Sequence, residues 1–454
     1  MPGVAAVPQR ERDQAGRVYG LETEYGLVGR TRDAGGRWRR LAADEAAQRL
    51  FVPIARQHAA SGVFLPNGGR LYLDVGNHPE YATPECTSIA DLQVAERAGD
   101  ELMVALAESA RAAEADEGRD TEFTLVKNNV DSFGNTYGSH ENYLVARSLD
   151  PEHLAAWLVP FLVSRQAVAG AGRWRRGRFT VSQRCDALAD VMSGNTTRSR
   201  PLINTRDEPH ADPSRYRRLH VISGDSNLDE ASARLRWAAT ELVLRLAETG
   251  RPPPITLDDP LAALRAWGRD PAPAAALQRR FAALAEPVAA GLEGDLARWQ
   301  RDGVTPEWAH KRRLIEAFRD RHHLSDADAR LDAVDLRWHV LGTGTDSRPS
   351  GLARLLEARG ELPRLTEPDA VASARSVAPS EGRARLRGSL IAAARAHGRD
   401  HSVDWASFTV HDLPGAVALD DPFAAADPRV DALVAAMAER PRRRPLGGFV
   451  PPVS

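Results

Sequence analysis

Residues 67–85 read NGGRLYLDVGNHPEYATPE, and the segment RLYLDV at 70–75 has the alternation of a β-strand. Successive side chains of a strand point to opposite faces of its sheet. Arg70, Tyr72 and Asp74 therefore share one face, and the apolar residues between them share the other. We expect this strand to pack on a core through its apolar side chains and to present a guanidinium, a phenol and a carboxylate on its opposite face.

A second stretch with the same feature is VYGLETEYGLV at residues 18–28, which we interpret as one strand. Period-two alternation places Glu22 and Glu24 on one face of it. A single strand of this kind is typical of a solvated sheet face with ordinary ion pairs, but two of them, each beside a glycine turn, favour an active site. Carboxylates on a rigid sheet are hard oxygen ligands that suit Mg²⁺, and an arginine on the same face suits phosphate oxygens.

The segment that follows RLYLDV contains two X-Pro pairs, within residues 77–85. Because proline restricts the residue before it, each pair favours extended or turn geometry. We interpret the segment as a rigid loop in which Glu80 supplies a third carboxylate to the same metal. A proline-stiffened loop with a surface glutamate is the alternative.

Two long polar segments mix cations, amides and carboxylates without a helical or strand period. They span residues 127–142 and 197–212. Arg198, Arg200 and Arg206 are candidates for an anion site. His140 and Arg206 are candidates for a phosphate or metal contact, with a structural role as the alternative. The chain has no GxxxxGK[ST] loop, no GxGxxG after a strand and no nucleophile elbow, so any nucleotide would be bound by side chains and a metal.

The composition excludes several classes of protein. The 454-residue chain is 43% apolar, which permits a sizeable core, and its formal net charge is -2. This balance excludes a disordered acidic chain and a globally basic nucleic-acid-binding protein. Cys86 and Cys185 are too few for a disulfide framework or a zinc ribbon, so we expect a reduced, cytoplasmic protein. The best apolar run, residues 154–163, is shorter than the ~20 residues of a membrane-spanning helix, and residues 1–17 lack the apolar core of a secretory signal.

The remaining periodicity predicts a large α/β or α+β domain followed by a small one. We expect helices at residues 41–60, 91–114, 151–168, 228–249, 260–318, 383–397 and 422–440. We expect further strands at residues 123–128, 141–148, 219–223 and 403–410, a loop at 342–349 and a linker at 366–381. The predicted organisation is a disordered leader at 1–17, a large domain at 18–375, a small C-terminal domain at 382–440 and a flexible tail at 441–454.

Several long blocks of the chain resemble the Pup–protein ligase family, also called proteasome accessory factor A. The family's G-[IL]-E-T-E-[FY]-G strand matches residues 20–26, and its NGARLYLDVGxHPEYAT block matches residues 67–83, with Gly69 where the family usually has alanine. Further family blocks match residues 127–144, 196–212 and 216–227, and a short Val-Asp-Trp stretch matches residues 403–405. The resemblance is dense up to residue 227 and thinner from residue 228 to residue 362.

This resemblance implies a glutamine-synthetase-like α/β (α+β) fold, in which a curved antiparallel sheet with flanking helices binds ATP and Mg²⁺ and a small C-terminal domain follows. It also implies roles for seven residues. The family's magnesium-site positions match Glu22, Tyr72 and Glu80. Its ATP-binding positions match Arg70, Thr83 and Trp405, and its catalytic base matches Asp74.

The function that the resemblance implies is a ligation. The family joins the C-terminal glutamate of Pup, a small disordered protein modifier, to lysines of target proteins and so marks them for proteasomal degradation. Mg-ATP would phosphorylate the glutamate γ-carboxylate, and a target lysine would attack the γ-glutamyl phosphate. A free lysine has a pKa of about 10.4, so a carboxylate such as Asp74 must accept its proton. The implied cofactors are ATP and Mg²⁺, and the implied partners are Pup and lysine-bearing proteins, with no nucleic acid and no membrane.

Three other functions stay open beside the ligase. The paralogous enzyme that deamidates Pup and removes it from targets has a long insertion after the first strand and reads LYVDHAHPEY. Here residues 28–67 span only 40 positions and the strand reads LYLDVGNHPEY, which favours the ligase. The retained carboxylates and Tyr72 argue against a catalytically inactive protein that binds Pup or ATP. ATP hydrolysis that responds to free glutamate rather than to Pup would identify a small-molecule glutamate–amine ligase.

Lysine supplies only two of the 60 basic residues, Lys127 and Lys311. One interpretation of this scarcity is codon usage in a GC-rich genome, which would make it a matter of composition alone. An enzyme that activates a carboxylate for attack by lysine also exposes its own lysines to it at high local concentration, so few lysines would limit self-modification. We expect Lys127 to be buried or paired and Lys311 to be exposed, so that self-modification maps to Lys311 or to the N-terminal amine.

Overall fold

The computed structural model describes residues 16–58, 62–74, 76–131, 134–194, 200–253, 255–301, 305–342 and 351–439. The predicted tail at 441–454, all but two residues of the leader at 1–17 and all but one residue of the loop at 342–349 lie outside this part of the chain. Val75 and Arg198 also lie outside it.

The architecture is mixed α/β, as expected. The strands of the described residues are β1 (Tyr19–Glu24), β2 (Gly26–Arg32), β3 (Trp38–Arg40), β4 (Gly62–Phe64), β5 (Arg70–Leu73), β6 (Pro79–Ala82), β7 (Thr121–Val126), β8 (Ser139–Ala146), β9 (Arg173–Arg175), β10 (Arg178–Thr180), β11 (Asp190–Ser193), β12 (Pro201–Asn204), β13 (Tyr216–Val221), β14 (Val340–Gly342), β15 (His401–Asp404), β16 (Ser407–Val410) and β17 (Ala416–Ala418). The central sheet has eight strands in the order β11-β12-β13-β8-β1-β6-β5-β4. Its neighbouring strands are antiparallel except β11 and β12, so the predicted antiparallel sheet is confirmed.

Helices flank the sheets. Those of the described residues are α1 (Ala43–Leu50), α2 (Val52–His58), α3 (Ile89–Asp116), α4 (Pro151–Ala169), α5 (Glu230–Glu248), α6 (Pro260–Arg269), α7 (Ala272–Leu284), α8 (Glu293–Gln300), α9 (Glu307–Arg321), α10 (Ala329–Trp338), α11 (Leu352–Ala358), α12 (Pro368–Ala374), α13 (Arg383–Ala396) and α14 (Pro428–Glu439). Among them, no helix combines the length and the apolar character that crossing a membrane requires.

The predicted strand at 18–28 is in fact two strands in different sheets. β1 ends at Glu24 in the central sheet, and β2 begins at Gly26 in a four-stranded sheet of order β14-β7-β2-β3. Tyr25 lies between them and is fully buried, and its hydroxyl donates a 2.9 Å hydrogen bond to Asp100 of α3. This buried side chain marks the point where the chain crosses between sheets, and it leaves Glu24 at the end of β1.

Two cores cover the apolar face of the central sheet. In the first core, Leu102 of α3 packs with Leu71 of β5 and with Phe123 of β7. The second core lies beneath α4 and α5 and contains Tyr143 of β8 and Val221 of β13. Because neighbours along a strand face opposite ways, the residues between these apolar positions are left on the other face of the sheet.

Residues 383–439 contribute an apolar cluster of their own. Leu390 of α13 packs there with Phe408 of β16. Phe64 of β4, at the edge of the central sheet, joins the same cluster. The C-terminal elements are therefore packed against the edge strand through Phe64.

Three local expectations are corrected. The predicted rigid loop at 77–85 contains strand β6, which pairs with β1 and β5, so that Glu80 lies within the sheet. Its proline begins the strand, where a missing N–H is tolerated. The predicted strand at 403–410 is a hairpin whose turn holds Trp405, and the predicted linker at 366–381 contains helix α12.

The expectation for Lys311 is wrong, whereas that for Lys127 is confirmed. The exposed fraction is 0% for Lys311 and 1% for Lys127. Lys311 lies on α9 one turn from Ile315 and one turn from Glu307, both of which are also buried. Residues four apart share a helix face, so Lys311 belongs to the buried stripe of α9, although the arginines that follow it are exposed.

Candidate active site

The polar face of the central sheet collects side chains from neighbouring strands. The pairing of β1 with β8 places Glu22 opposite His140. The pairing of β1 with β6 places Glu24 opposite Glu80, and the pairing of β6 with β5 places Glu80 opposite Tyr72. Residues opposite each other on adjacent antiparallel strands have Cβ atoms about 5 Å apart. The sheet therefore assembles three carboxylates, a phenol and an imidazole on one surface.

Glu22 is surrounded by nitrogen atoms. Its carboxylate lies 3.1 Å from His140 Nδ1 and accepts a 3.2 Å hydrogen bond from the Asn142 amide. His220 Nε2 and Arg218 Nη1 each lie 3.7 Å from it. Burial alone would raise the pKa of Glu22, but His220, His140 and Arg218 lower it well below its ordinary value. Glu22 is therefore ionised at neutral pH.

His220 presents a neutral imidazole to this carboxylate. Burial lowers the pKa of His220 to about 3. Its Nδ1 lies 3.1 Å from the Asn204 amide nitrogen, which orients the ring, and its buried Nε2 has no hydrogen-bond partner among the described residues. One ligand atom each from Glu22, His140 and His220 lie within 4.8 Å of one another. Carboxylate and neutral imidazole together form a donor set for a divalent metal.

Glu80 is a buried carboxylate that lies close to other carboxylates. It is 4% exposed and hydrogen-bonded to the Tyr72 hydroxyl. Burial, followed by the charges of Glu22 and Glu24, raises the pKa of Glu80 well above its ordinary value. Burial, followed by the charges of Glu80 and Glu22, raises the pKa of Tyr72, so its phenol is neutral. Carboxylates crowded in this way repel one another unless a cation lies between them, and Mg²⁺ takes oxygen ligands of this kind.

Asp74 lies directly after β5, beside the carboxylate cluster. Its Oδ1 accepts a 2.6 Å hydrogen bond from the His78 backbone N–H. The His78 ring Nδ1 lies 3.4 Å from Asp74 Oδ2 and 3.3 Å from Glu24 Oε2. Asp74 and Glu24 raise the pKa of His78 to about 10. Burial alone would raise the pKa of Asp74, but hydrogen bonds from His78 lower it. Asp74 is therefore an ionised carboxylate at neutral pH, as a proton acceptor must be.

A cleft opens at the Glu22 end of the same face. Its lining includes Thr83, Arg218 and Trp405. Glu22 lines it too, so that the cleft borders the carboxylate cluster. The Thr83 hydroxyl accepts a 3.0 Å hydrogen bond from the backbone N–H of Leu21, which fixes it at the base of the cleft. An indole wall beside polar groups is typical of sites that bind a planar ring.

Trp405 reaches this cleft from the C-terminal hairpin. Its ring lies edge-on to Phe64 at 5.0 Å between centroids, and the Arg387 guanidinium lies 4.9 Å from the indole centroid. Glu85, which also lines the cleft, pairs with Arg387 and Arg383 of α13. The buried pairs at Glu85 thus tie the C-terminal elements to the sheet at the point where Trp405 enters the cleft.

Two of the candidate arginines, Arg70 and Arg206, have different positions. The Arg70 guanidinium lies 4.7 Å from the centroid of the Tyr72 ring, on the polar face. Arg206 has a side chain that is 54% exposed and lies 3.8 Å from Glu208. The structure thus brings Arg70 to the cluster, while Arg206 extends to the surface.

Sequence reasoning missed His220, Arg218 and His78. The signal for the first two was the same alternation that revealed β5, since Arg218 and His220 alternate with Leu219 and Val221. The predicted strand began at Leu219, which hid the pattern. No comparable pattern marks His78, because its contact with Asp74 depends on a turn of the chain and not on the alternation of a strand.

A family model and curated relatives agree in their similarity to this chain, and all of them are Pup ligases. A family model described as Pup-ligase protein matches residues 17–288 and 280–409. A curated protein of Acidimicrobium ferrooxidans named Pup–protein ligase is 41% identical over 458 residues, which cover 92% of this chain and 98% of the relative. One of Kribbella flavida with the same name is 42% identical over 460 residues, which cover 93% and 99%.

Solved structures of Pup ligases are similar to this one, among them two at 36% identity. The first is the crystal structure of the complex between the prokaryotic ubiquitin-like protein Pup and its ligase PafA, with a TM-score of 0.85, 36% identity and coverage of 94% of this chain and 92% of that one. The second is the Pup ligase PafA in complex with ADP, with a TM-score of 0.78, 36% identity and coverage of 88% and 95%.

Proposed function

This chain belongs to the Pup ligase family, and on that basis we propose that it is an ATP-dependent ligase that joins the C-terminal glutamate of Pup to lysine side chains of target proteins. The observation that carries the proposal is the polar sheet face, where an ionised base, Asp74, adjoins the carboxylates of Glu22 and Glu80. Similarity to Pup–protein ligases over more than nine tenths of the chain supports the choice of substrate.

We propose that the cleft beside Thr83 and Trp405 binds the base of ATP. The indole face supplies a flat apolar wall, and Glu22 also lines this cleft. Phosphates that extend from a base in this cleft would pass toward the carboxylates, where the Arg70 guanidinium lies beside Tyr72. The ADP complex of a relative that is 36% identical supports a nucleotide site in this fold.

Glu22, Glu80 and the neutral Tyr72 phenol would hold Mg²⁺. The raised pKa of Glu80 supports this fit, because a cation would offset the repulsion from Glu22 and Glu24. When bound, the metal would neutralise charge on the phosphate oxygens. His140 Nδ1 and His220 Nε2 lie 3.1 Å and 3.7 Å from Glu22 Oε2 and would keep this carboxylate oriented.

The reaction proposed for this face has two steps. In the first, the γ-carboxylate of the terminal glutamate of Pup attacks the γ-phosphorus of ATP, so that ADP leaves and a γ-glutamyl phosphate forms. Arg70 would stabilise charge on the transferring group. In the second, a target lysine amine attacks the acyl carbon, the bond to the phosphate oxygen breaks, and Asp74 accepts a proton from the amine. His78 and Glu24 hold Asp74 in place for this transfer.

The proposal extends to the domain limits of the chain and to the cellular location of the protein. We propose a catalytic domain at 18–375 and a small C-terminal domain at 382–440, since the latter contributes its own apolar cluster. We also propose a cytoplasmic location, which the free thiols of Cys86 and Cys185 support.

Trapping of the activated carboxylate tests the proposal without any target. The purified chain is incubated with ATP, Mg²⁺, hydroxylamine and Pup that ends in glutamate. We expect a hydroxamate on the terminal glutamate and an equal amount of ADP. Pup that ends in glutamine is the matched control and should give neither, because it has no carboxylate to activate. ADP formation with free glutamate but not with Pup would contradict the proposal.

A further inference from the structure

Lys127 is held inside the protein by two carboxylates. Its Nζ lies 3.1 Å from Asp100 Oδ2 and 3.1 Å from Glu96 Oε1. Burial alone would lower the pKa of Lys127, but Asp100 and Glu96 outweigh it and raise the pKa. The amine therefore stays protonated and has no lone pair with which to attack a carbonyl.

Lys311 is held by three acceptors of different kinds. Its Nζ donates a hydrogen bond to the Gly172 carbonyl oxygen. It also lies 2.8 Å from His339 Nε2 and 2.9 Å from Asp335 Oδ1. An ammonium has three donors, and these contacts account for all of them.

The His339 ring contacts both lysines, Lys311 through its side chain and Lys127 through its backbone. Burial lowers the pKa of His339 well below its ordinary value, so the ring is neutral and its Nε2 accepts from Lys311. Its Nδ1 lies 2.9 Å from the backbone oxygen of Lys127 and donates to it. Each lysine thus has a structural role that uses a slender stem and a compact ammonium, which a planar guanidinium does not reproduce.

We propose that the lysine side chains of this enzyme are protected from its own activated modifier, because both lysines are buried and paired and the exposed side chains that could take their place are arginines. The proposal rests on the function proposed above. The printed 454 residues contain no other lysine. An attacking amine has to come within about 3 Å of the acyl carbon with its lone pair free. An arginine does not substitute for it, since its guanidinium stays protonated in proteins.

A bias in composition would account for the number of lysines but not for where they lie. Lysine is among the residues that are almost never fully buried unless paired. Here both lysines are buried and paired. Exposure of either amine would require local unfolding around His339. Such unfolding costs free energy, whereas a surface lysine is accessible without it. The enzyme would therefore modify its targets in preference to itself, whatever the origin of the lysine scarcity.

Conversion of surface arginines to lysines tests this inference. Arg37, Arg330 and Arg429 have side chains that are 85%, 61% and 62% exposed, and each pairs with a surface aspartate that a lysine would also satisfy. Wild type and the R37K/R330K/R429K variant are each incubated with Pup, ATP, Mg²⁺ and an external lysine-bearing protein, and modified peptides are mapped by mass spectrometry. We expect the external protein to be modified in both reactions. Modification of lysine side chains in the enzyme should appear only in the variant, at introduced lysines.

Two results of this experiment would overturn the inference. One is modification of Lys127 or Lys311 in the folded wild-type enzyme. The other is the absence of modification at every introduced lysine while the external protein is ligated. An external protein that stays unmodified in both reactions would count against the proposed function instead.

Labelling with a small acylating reagent tests the burial of the two amines without Pup. Folded wild type is treated with the N-hydroxysuccinimide ester of acetic acid, before and after denaturation in urea. Lys127 and Lys311 should react at least about tenfold more slowly in the folded protein, because their exposure requires opening of the core and a tenfold difference corresponds to only about 1.4 kcal/mol. The three introduced lysines of the variant should react at similar rates in both states. Equal labelling of Lys127 or Lys311 in both states would overturn the inference even if the ligase assay fails.

Discussion

Replacement of Glu85 by glutamine tests whether the buried ion pairs at α13 hold the nucleotide cleft together. Glu85 Oε1 lies 2.8 Å from Arg383 Nε and 3.1 Å from Arg387 Nη1. Burial alone would raise the pKa of Glu85, but Arg387 and Arg383 lower it to about 2, from an ordinary value of 4.5. Glutamine keeps the shape of the side chain but leaves two buried guanidinium groups without a counter-charge.

The shift in pKa sets the size and the pH range of the effect. A shift from 4.5 to about 2 corresponds to about 3 kcal/mol at 1.36 kcal/mol per pH unit. A carboxylate whose pKa is lower in the folded state than in the unfolded state stabilises the folded state. This stabilisation is fully present above the unfolded-state pKa, and it is lost as the pH falls toward the folded-state pKa. The Glu85→Gln variant should therefore have a free energy of unfolding about 3 kcal/mol below that of wild type at pH 7. At pH 3 the difference should shrink to about 1.5 kcal/mol.

Urea unfolding at both pH values, followed by circular dichroism, measures this difference. The matched control is Glu316→Gln, which removes an exposed pair at 2.8 Å from Arg312 and should cost less than about 1 kcal/mol. Nucleotide affinity should fall for Glu85→Gln alone, since Arg387 lies against the Trp405 ring. A Glu85→Gln variant as stable as wild type at pH 7, or a loss that is the same at both pH values, would refute the reasoning.

Three further predictions concern the polar face. Asp74→Asn should bind nucleotide normally but ligate 10²–10⁴ times more slowly, and a near-normal ligation rate would exclude Asp74 as the base. Glu22→Gln and Glu80→Gln should each weaken Mg²⁺ binding in a calorimetric titration, because each removes an anionic oxygen ligand; unchanged titrations for both would remove them from the metal site. Trp405→Ala should weaken nucleotide binding up to about tenfold through loss of ring contact, with a fluorescent ATP analogue as the probe and equal affinity as the contrary result.

Local alternation was enough to predict part of the site. The face shared by Arg70, Tyr72 and Asp74 followed from period two within six residues. The pairing that brings Glu22 and Glu80 to that face depends on contacts between strands far apart in the chain, which no local pattern encodes. Prolines on both sides of Glu80 made its segment resemble a loop, although one of them begins strand β6.

Tertiary contacts also decided where sequence reasoning about the fold failed. The stretch at 18–28 alternates without interruption, so nothing local marks Tyr25 as the point where the chain changes sheets. Its buried hydroxyl bond to Asp100 is visible only in the folded chain. Lys311 lies on the buried stripe of its helix with Glu307 and Ile315. Two of these three residues are charged, so the sequence does not mark the stripe as buried. A buried ammonium needs acceptors, and here other elements of the fold supply them.

The most direct test of the central claim is the mass of a target protein after reaction. The chain is incubated with ATP, Mg²⁺, Pup that ends in glutamate and a target with a single lysine, with Asp74→Asn as the matched control. We predict that the target gains the mass of Pup less one water, that fragmentation places an isopeptide bond at its lysine, and that the Asp74→Asn reaction yields far less product. An unmodified target in the presence of active ATP turnover would contradict the claim.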